Sequence, residues 1–511
     1  MPDQTPTSNN NNFNYLHLRD LGIDTSQESV IYMRSDCHVC RSEGFGPHAR
    51  VEVRHGVQSI IATLHVIGTD VLHHHEASLS RVAWQRLRAR DGDVITVHHA
   101  PAVDSLSYLR AKVYGHRLDD HALNAIIGDI AAGQYSDVHV SSFVTACAGD
   151  HLDRREILGL TRAMVDVGDR LSWGTTPIVD KHCVGGLPGN RTTPIVVAIV
   201  TAYGLTMPKT SSRAITSPAG TADTMETLAP VDLDLSVMRR VVEREGGCIV
   251  WGGSVRLSPA DDILIRVERA LDIDSEGQLV ASVLSKKSAA GSTHLVLDLP
   301  TGPTAKVRSR ESADMLSDQL VDIAASLGIV ARTVVTDGAQ PVGHGIGPAL
   351  EAREVLSVLQ NKPDAPTDLK RRAVALAATL IELATELHQG QATEVASALL
   401  ADGEAWKKFQ AICEAQGGMR EPPVAPHTQP VESPSAGRIT KIDNRLLARV
   451  AKLAGAPSDP AAGVALHKKL GDIVQVGEPL FTIHAESPGE LRYALHFVKS
   501  HLNVMTVEPK S

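Results

Sequence analysis

The sequence predicts a multidomain protein that combines α/β and α+β domains, and three observations support this fold class. The chain has 511 residues, enough for roughly three to four domains of ordinary size. Its central part alternates apolar runs of strand length with segments of helical spacing, which is typical of an α/β domain. Short β-rich runs precede this part, and a Pro-rich segment with further β-rich sequence follows it.

Residues 15–100 are expected to form a β-rich N-terminal domain. Short runs with alternating apolar residues occur at 49–53, 59–66 and 92–97, each bordered by residues that favour turns. The polar stretch before them, residues 1–14, lacks the apolar segment of a secretory signal. We therefore expect it to be a disordered leader.

A helical domain is expected next, built from residues 101–170 and 259–290. Within 121–137 and 151–171, apolar residues recur at the spacing of one helix face. The run PADDILIRVERAL, residues 259–271, has the same spacing. The helical domain is therefore predicted to be discontinuous in sequence.

Residues 171–258 and 291–425 are expected to form an α/β domain. The apolar runs HLVLDLP and IVARTVVTD predict buried strands between helices. The Pro-rich stretch 421–437 indicates a domain boundary, and residues 426–511 are predicted to be a C-terminal α+β domain.

Composition excludes several classes of function. The hydrophobic fraction is 43% and the net charge is −9, so nothing indicates binding to nucleic acid or to an anionic membrane. No apolar run reaches 18 residues, so we expect no membrane span. The six cysteines are scattered except for Cys37 and Cys40, which is typical of a reduced, cytoplasmic protein. Cys37 and Cys40 have the spacing of half a zinc site, but no second such pair occurs, and we predict no metal.

The segment DKHCVGGLPGNRTTP, residues 180–194, predicts a phosphate-binding turn. Its glycines permit backbone conformations that let successive N–H groups point at one anion: Gly185, Gly186 and Gly189. Thr193 before Pro194 predicts a helix N-cap, where backbone donors favour phosphate. Lys181 adds a positive charge. The alternative is a tight turn before a core helix, and the segment matches neither the Walker nor the dinucleotide pattern.

The segment KTSSRAITSPAGTADTME, residues 209–226, concentrates hydroxyl groups around Arg213. These are Ser211, Ser212, Thr216, Ser217 and Thr221. Hydroxyls around a guanidinium suit a ligand rich in oxygen, such as phosphate plus a sugar. The alternative is a polar loop with ordinary helix caps. Further along, Ser282 and Lys286 are four residues apart and share a helix face that could reach a base, or that is simply a solvated helix end.

These motifs, together with GIGPALEAREVL, resemble the thymidine/pyrimidine-nucleoside phosphorylase family in their order and spacing. The resemblance covers about residues 100–505. It is strongest to the long branch, which includes AMP phosphorylases and type 2 thymidine phosphorylases. It implies a helical domain hinged to a large mixed-sheet α/β domain of the nucleoside phosphorylase/phosphoribosyltransferase type, and a homodimer or higher homo-oligomer.

The resemblance also implies roles for individual residues. The phosphate ligands would be Lys181, Gly185, Gly186, Thr193, Ser211 and Thr221. The nucleoside or nucleotide ligands would be Gly186, Ser212, Arg213, Ala214, Ile215, Thr216, Ser217, Thr221, Ser282, Lys286 and Lys306. Asp274 would protonate the leaving base, with His182 beside sugar and base and Lys181 on the phosphate. No cofactor is implied, since inorganic phosphate is the co-substrate.

Three positions depart from the short pyrimidine enzymes. Cys183 replaces a serine of the phosphate loop, and a thiol is a weak donor. Glu268 stands where those enzymes use an arginine to read the pyrimidine. A different loop introduces Lys306, whose charge would suit a 5′-phosphate.

Several functions therefore compete. The first is phosphorolysis of thymidine or another pyrimidine nucleoside, giving base and (deoxy)ribose 1-phosphate. The second is phosphorolysis of AMP or another nucleoside 5′-monophosphate, giving base and ribose 1,5-bisphosphate. More distant alternatives are a phosphoribosyltransferase and a catalytically silent nucleotide-binding module. The pyrimidine reaction is favoured.

Overall fold

The computed structural model describes residues 14–25, 28–68, 70–214, 217–271, 273, 275–501 and 503–509. Contacts divide it into two compact units, Met1–Arg110 with Asp129–Val140 and Ala111–Gly128 with Ser141–Ser511. No helix of the described residues is both long and apolar enough to cross a bilayer.

The first unit contains a closed six-stranded barrel. The strands are Tyr15–Leu18 (β1), Val30–Arg34 (β2), Arg50–His55 (β3), Gln58–Ile67 (β4), Glu76–Leu79 (β5) and Val94–His99 (β6). They follow the order β1-β5-β2-β4-β3-β6, and β1 also pairs with β6, which closes the barrel. Two short helices cover it, His38–Glu43 (α1) and Arg81–Leu87 (α2). The runs predicted at 49–53, 59–66 and 92–97 lie on β3, β4 and β6.

Helices occupy the segments where the sequence has helical spacing. They are Leu106–Val113 (α3), Asp120–Ala131 (α4), Asp137–Ala146 (α5), Arg154–Asp166 (α6), Pro259–Leu271 (α10) and Glu276–Ala289 (α11). In the second unit α11 packs on α6, where Gly277 leaves room for Ile157. Segment 259–290 therefore packs against a helix formed earlier in the chain.

The α/β part follows. Its strands are Val179–Cys183 (β7), Met207–Ser211 (β8), Gly247–Trp251 (β9), His294–Thr301 (β10), Val330–Asp337 (β11) and Gly345–Ile346 (β12). Its helices are Thr193–Tyr203 (α7), Thr221–Glu226 (α8), Leu235–Glu245 (α9), Arg310–Ser326 (α12), Pro348–Leu359 (α13), Thr367–Ala384 (α14), Gln389–Ala401 (α15) and Glu404–Ala415 (α16). The helix α7 is buried along its whole apolar run and packs against α14, α15 and α16.

The strands β7 to β11 of the α/β part run parallel, whereas β12 pairs antiparallel with the strand Gly463–Leu466 of the C-terminal part. The order is β11-β10-β7, and a single parallel bridge from Ile178 to Thr206 continues it to β8 and β9. Carboxyl ends of parallel strands meet at one sheet edge, where ligands of α/β proteins bind. The end of β7 and the end of β8 carry the two motifs singled out in the sequence. Among the described strands, β11 pairs with β10 alone and is half-buried, which is less buried than its apolar run predicted.

The C-terminal part contains two small sheets. Its elements are His427–Glu432 (β13), Gly437–Ile442 (β14), Asn444–Leu453 (α17), Gly463–Leu466 (β15), Ile473–Val474 (β16), Pro479–Ala485 (β17), Pro488–Ser500 (α18) and Met505–Glu508 (β18). The sheet orders are β12-β15-β17-β13 and β16-β14-β18. The Pro-rich stretch is thus not only a boundary, because β13 lies inside it. Pro430 is tolerated there since β13 is an edge strand.

A buried ion pair stabilises the helical part. The Nζ of Lys112 donates to Oε1 of Glu156 at 2.6 Å, and both side chains are at most 4% exposed. The other carboxylate oxygen accepts from the backbone N–H of Asp153, which caps α6.

We predict that Lys112→Met destabilises this part by about 3–5 kcal/mol, because it leaves the buried Glu156 carboxylate without its cation. The loss should appear as a lower thermal midpoint, measured by circular dichroism. Lys407→Met is the control, since Lys407 is 69% exposed and its pair with Glu404 lies on the surface. Equal midpoints for both variants would contradict the prediction.

Candidate functional site

The Gly-rich turn has the backbone that the sequence predicted. After β7 ends at Cys183, Gly185, Gly186 and Gly189 have φ of 91°, 78° and 72°, a region that L side chains rarely adopt. A Cβ on Gly186 would lie 2.5 Å from the backbone N of Lys306. The turn therefore packs directly against the loop that carries Lys306, and the fold brings these two predicted ligands together.

Lys181 lies on β7, shortly before this turn in the sequence. Its Nζ donates to Oγ1 of Thr192 at 2.7 Å and is 4.0 Å from Oδ2 of Asp298. The side chain is 1% exposed, and burial lowers its pKa. Thr192 is the N-cap of α7, so the prediction that Thr193 caps this helix is wrong. The Thr192 hydroxyl does not cap the helix and instead accepts from Lys181.

Asp298 organises the polar interior next to Lys181. It lies on β10 and is fully buried. Its carboxylate accepts from Nδ2 of Asn190 at 2.9 Å and from Oγ1 of Thr336 at 2.6 Å. The sequence interpretation missed this residue, although a carboxylate inside the apolar run HLVLDLP was an available signal.

The thiol of Cys183 takes part in the turn itself. Its sulfur accepts from the backbone N–H of Gly185 at 3.4 Å and from Nδ2 of Asn190 at 3.2 Å. Burial, and then the charge of Asp298, raises the pKa of this thiol to about 11. The thiol is therefore protonated at neutral pH and holds the turn as an acceptor.

The hydroxyl-rich segment closes onto the start of α8. Ser212 accepts through its backbone oxygen from the N–H of Ala222 at 3.2 Å, and a Cβ on Gly220 would touch the backbone of Arg213 and Ala214. Ser217 Oγ donates to the oxygen of Ala219 at 2.9 Å. Ile215 and Thr216, both predicted ligands, lie outside the described residues.

Ser211, at the end of β8, has a buried hydroxyl without a hydrogen-bond partner among the residues that the structure describes. An unpartnered buried hydroxyl is costly, so a position of this kind favours a bound polar ligand. This observation agrees with the predicted role of Ser211 as a phosphate ligand.

Arg191 connects the Gly-rich turn to the hydroxyl-rich segment, and the sequence interpretation did not anticipate it. Its Nη1 donates to Oγ1 of Thr221 at 3.0 Å and its Nη2 to the oxygen of Ala219 at 2.9 Å. Its Nε lies 2.5 Å from Oε2 of Glu351, a buried residue of α13. The only indication of this role in the sequence was the position of Arg191 between Gly189 and the two threonines at 192 and 193.

The guanidinium of Arg213 is already paired. Its Nη1 lies 2.5 Å from Oε2 of Glu226 and 3.3 Å from Oδ1 of Asp223, and its Cζ lies 5.0 Å from the centre of the Trp251 ring. The hydrogen bond with Glu226 raises the pKa of Arg213. The positive charge is matched by two carboxylates on α8.

The residues predicted to contact the base lie on α11. Ser282 and Lys286 are half-buried, and Nζ of Lys286 donates to Oδ2 of the buried Asp261 on α10 at 2.5 Å. His182, next to Lys181, is half-buried, and its pKa is well below its ordinary value because of desolvation and because Lys287 and Lys209 are close. Asp274, the predicted proton donor, lies outside the described residues.

The Cys37 and Cys40 pair belongs to the barrel of the first unit. Both thiols are buried, and the N–H of Cys40 donates to Sγ of Cys37 at 3.2 Å across the start of α1. Within the described ranges, no three His, Cys, Asp or Glu side chains are grouped to hold a metal ion. The pair is part of the barrel core.

Three family models match the sequence. The helical bundle domain of the glycosyl transferase family matches residues 106–168, and the a/b domain of the same family matches 175–406. The pyrimidine nucleoside phosphorylase C-terminal domain matches residues 438–504. Together the three models account for the helical, α/β and C-terminal parts of the chain.

Similar proteins are known along nearly the whole length. "Putative thymidine phosphorylase 2" of Acidovorax sp. (strain JS42) is 63% identical over 487 residues, covering 95% of both chains. "Putative thymidine phosphorylase" of Hahella chejuensis (strain KCTC 2396) is 59% identical over 498 residues, covering 98% of this chain and 99% of that one. Among solved structures, anthranilate phosphoribosyltransferase from Thermus thermophilus superposes with a TM-score of 0.51 at 19% identity, over 60% of this chain and 98% of that one. This last likeness concerns the fold alone.

We predict that Gly186→Ala disrupts the turn, because the new methyl group would meet the backbone of Lys306 and the residue would keep an unfavourable positive φ. Phosphate should then protect the protein less against thermal unfolding, measured as the shift of the midpoint with added phosphate. Gly174→Ala is the control, since Gly174 also has a positive φ of 65° but no atom lies within 4 Å of its Cβ position. An unchanged phosphate shift in Gly186→Ala would contradict this assignment.

We expect Cys183→Ser to preserve the turn, because a hydroxyl can accept from Gly185 and Asn190 as the sulfur does. The midpoint shift with phosphate should stay within about 2-fold of the wild-type value, as for an exchange of neutral hydrogen bonds. Cys183→Val removes the acceptor at similar size and should reduce the shift. Equal shifts in the serine and valine variants would show that the sulfur is not needed as an acceptor.

Proposed function

Because the chain belongs to the thymidine phosphorylase-type family of glycosyl transferases, we propose that it catalyses the reversible phosphorolysis of a pyrimidine nucleoside. The products are the free base and ribose 1-phosphate or deoxyribose 1-phosphate. The enzyme is a pentosyltransferase, with inorganic phosphate as its co-substrate and no bound cofactor.

The contact made by Arg191 carries this proposal. It joins the Gly-rich turn to Thr221 and Ala219, so both segments that were expected to bind oxygen-rich ligands belong to one site. The buried, unpartnered hydroxyl of Ser211 supports the same conclusion. Two polar loops with separate roles would not need the hydrogen bonds that Arg191 forms between them.

In the proposed reaction the phosphate is held by the turn and by the ends of β7 and β8. The ligands are Lys181, Gly185, Gly186, Thr193, Ser211 and Thr221. A phosphate oxygen forms a bond to C1′ of the sugar while the C1′–N bond breaks, and the electron pair goes to the base. Phosphate next to C1′ also offsets the positive charge that develops on the sugar.

The departing base must receive a proton or a hydrogen bond. His182 is neutral near pH 7 because its pKa is well below its ordinary value, so it can donate one ring N–H without adding charge. Lys286 and Ser282 lie on one face of α11 and would contact the base. Asp274 stays a prediction as the proton donor.

The nucleotide alternative requires a cation beside the 5′-phosphate, and Arg213 is a weak candidate for this role. Glu226 and Asp223 already offset its charge, so its attraction for a phosphate is weaker than that of an unpaired guanidinium. Lys306 beside Gly186 remains the residue that would favour AMP or another nucleoside 5′-monophosphate. The nucleoside reaction is therefore the better supported of the two.

The remaining assignments belong to the same proposal. The enzyme acts in the cytoplasm as a homodimer or higher homo-oligomer, with no nucleic-acid or membrane partner. A phosphoribosyltransferase reaction rests only on the shared fold. Retention of Lys181, Ser211, Thr221 and Lys286 argues against a silent nucleotide-binding module.

The test is release of free base from a panel of nucleosides and nucleoside 5′-monophosphates, with and without phosphate. We expect release from pyrimidine nucleosides that depends on phosphate, and a loss of about 10²-fold or more in kcat/KM for phosphate in Lys181→Met. Lys407→Met, on the surface of α16, should match the wild type.

Equal release of base in phosphate-free buffer would contradict phosphorolysis. Release from 5′-monophosphates alone would establish the nucleotide reaction instead. An unchanged KM for phosphate in Lys181→Met would remove Lys181 from the phosphate site.

A further inference from the structure

A cluster of three buried ionisable groups lies next to the proposed site and has no role in the proposed reaction. The carboxylate of Asp180 on β7 is 2.8 Å from Nζ of Lys287 on α11 and 3.1 Å from Nζ of Lys209 on β8. Ser292 Oγ also donates to it, at 3.4 Å. The side chains of the Asp180 cluster (Asp180, Lys209 and Lys287) are at most 5% exposed.

Stability alone does not explain this cluster. Removing charges from water is expensive, and well-packed apolar residues of similar volume often stabilise a protein at least as well as a buried ion pair. Burial by itself would raise the pKa of Asp180, but the charges of Lys209 and Lys287 outweigh this effect and lower it. The carboxylate is thus kept ionised. Its two ion pairs hold β7, β8 and α11 together at this point.

Each member of the cluster is adjacent to a residue of the proposed site. Asp180 precedes Lys181, Lys209 lies two residues before Ser211, and Lys287 follows Lys286. Alternate residues of a strand share a face, so on β7 the side chain of Asp180 lies on the same face as that of His182. The cluster therefore supports the face of β7 that carries His182, while Lys181 contacts Thr192 from the opposite face.

The cluster also lies close to the connection between the helical and α/β parts. Two chain segments meet there: the N–H of Leu171 donates to the oxygen of Ala289 at 2.8 Å, and Nε1 of Trp173 donates to that of Ala290 at 2.8 Å. Lys287 is in the last turn of α11, immediately before this point. Its pair with Asp180 ties the end of α11 to β7.

We propose that Asp180, Lys209 and Lys287 are positioning residues, which hold His182 of β7 and Lys286 of α11 in register around the leaving base. This inference rests on the proposed phosphorolysis and deepens it. The cluster itself does not touch the substrate. It acts by fixing the contact between α11 and β7. This contact sets the positions of His182 and Lys286 relative to the bound sugar.

The test compares Lys287→Met with Lys287→Arg in steady-state phosphorolysis by the full chain. Lys287→Met should lower kcat for the nucleoside by about 10²-fold, the effect expected when catalytic groups are displaced by about 1 Å. The KM for phosphate should change little, because Lys181 faces the other side of β7. Lys287→Arg keeps the charge and should recover most of the activity.

A double variant separates positioning from a general structural role. If Lys287 acts through Lys286, then Lys287→Met should cost much less in a Lys286→Ala background than in the wild type. Lys112→Met is the matched control, because it also removes the cation of a buried pair, and it should lower the thermal midpoint without lowering kcat. If Lys287→Met does not fold, Lys209→Met tests the same cluster while Asp180 keeps one cation.

Independent losses in the double variant, or an equal fall of kcat in Lys112→Met, would overturn the inference. So would a Lys287→Met enzyme with wild-type kcat. Wild-type protein that releases no base from any nucleoside in the presence of phosphate would instead overturn the proposed function itself, before any variant is compared.

Discussion

The pair between Arg191 and the buried carboxylate of Glu351 is the contact on which the geometry of the site depends. Glu351 also accepts from the N–H of Gly347 at 3.2 Å, which fixes its position at the start of α13. Arg191 can then direct its remaining donors to Thr221 and Ala219. Without Arg191 the carboxylate would be a buried, unpaired charge, since burial already raises its pKa against the influence of the guanidinium. The turn and the hydroxyl-rich segment are therefore held by one shared anchor.

Much of the fold follows from local sequence. The helix α10 spans the residues that its spacing predicted, and the positive φ angles of Gly185, Gly186 and Gly189 follow from the need for a tight turn. Rules based on neighbouring residues fail where a side chain from a distant part of the sequence forms the hydrogen bond instead. Thr192 and Thr193 are equivalent as caps in the sequence, and only the position of Lys181 decides how the Thr192 hydroxyl is used.

The site was predicted less completely than the fold, because its connecting residues pair across long sequence separations. Arg191 and Glu351 are 160 residues apart, and no spacing rule links them. Asp298 and Asp180 look like isolated polar residues in strands until their partners are known. The ligand-type residues have recognisable motifs, whereas the residues that orient them depend on tertiary contacts.

Consecutive residues of β7 divide the proposed site into two sides. Lys181 and Cys183 face the polar interior of Thr192, Asn190 and Asp298, where phosphate would be held. His182 lies on the alternate face, close to the lysines of β8 and α11. Because Lys287 of α11 pairs with Asp180 on the face of His182, a change on α11 acts on that face, whereas Lys181 and Cys183 keep their contacts with Thr192 and Asn190.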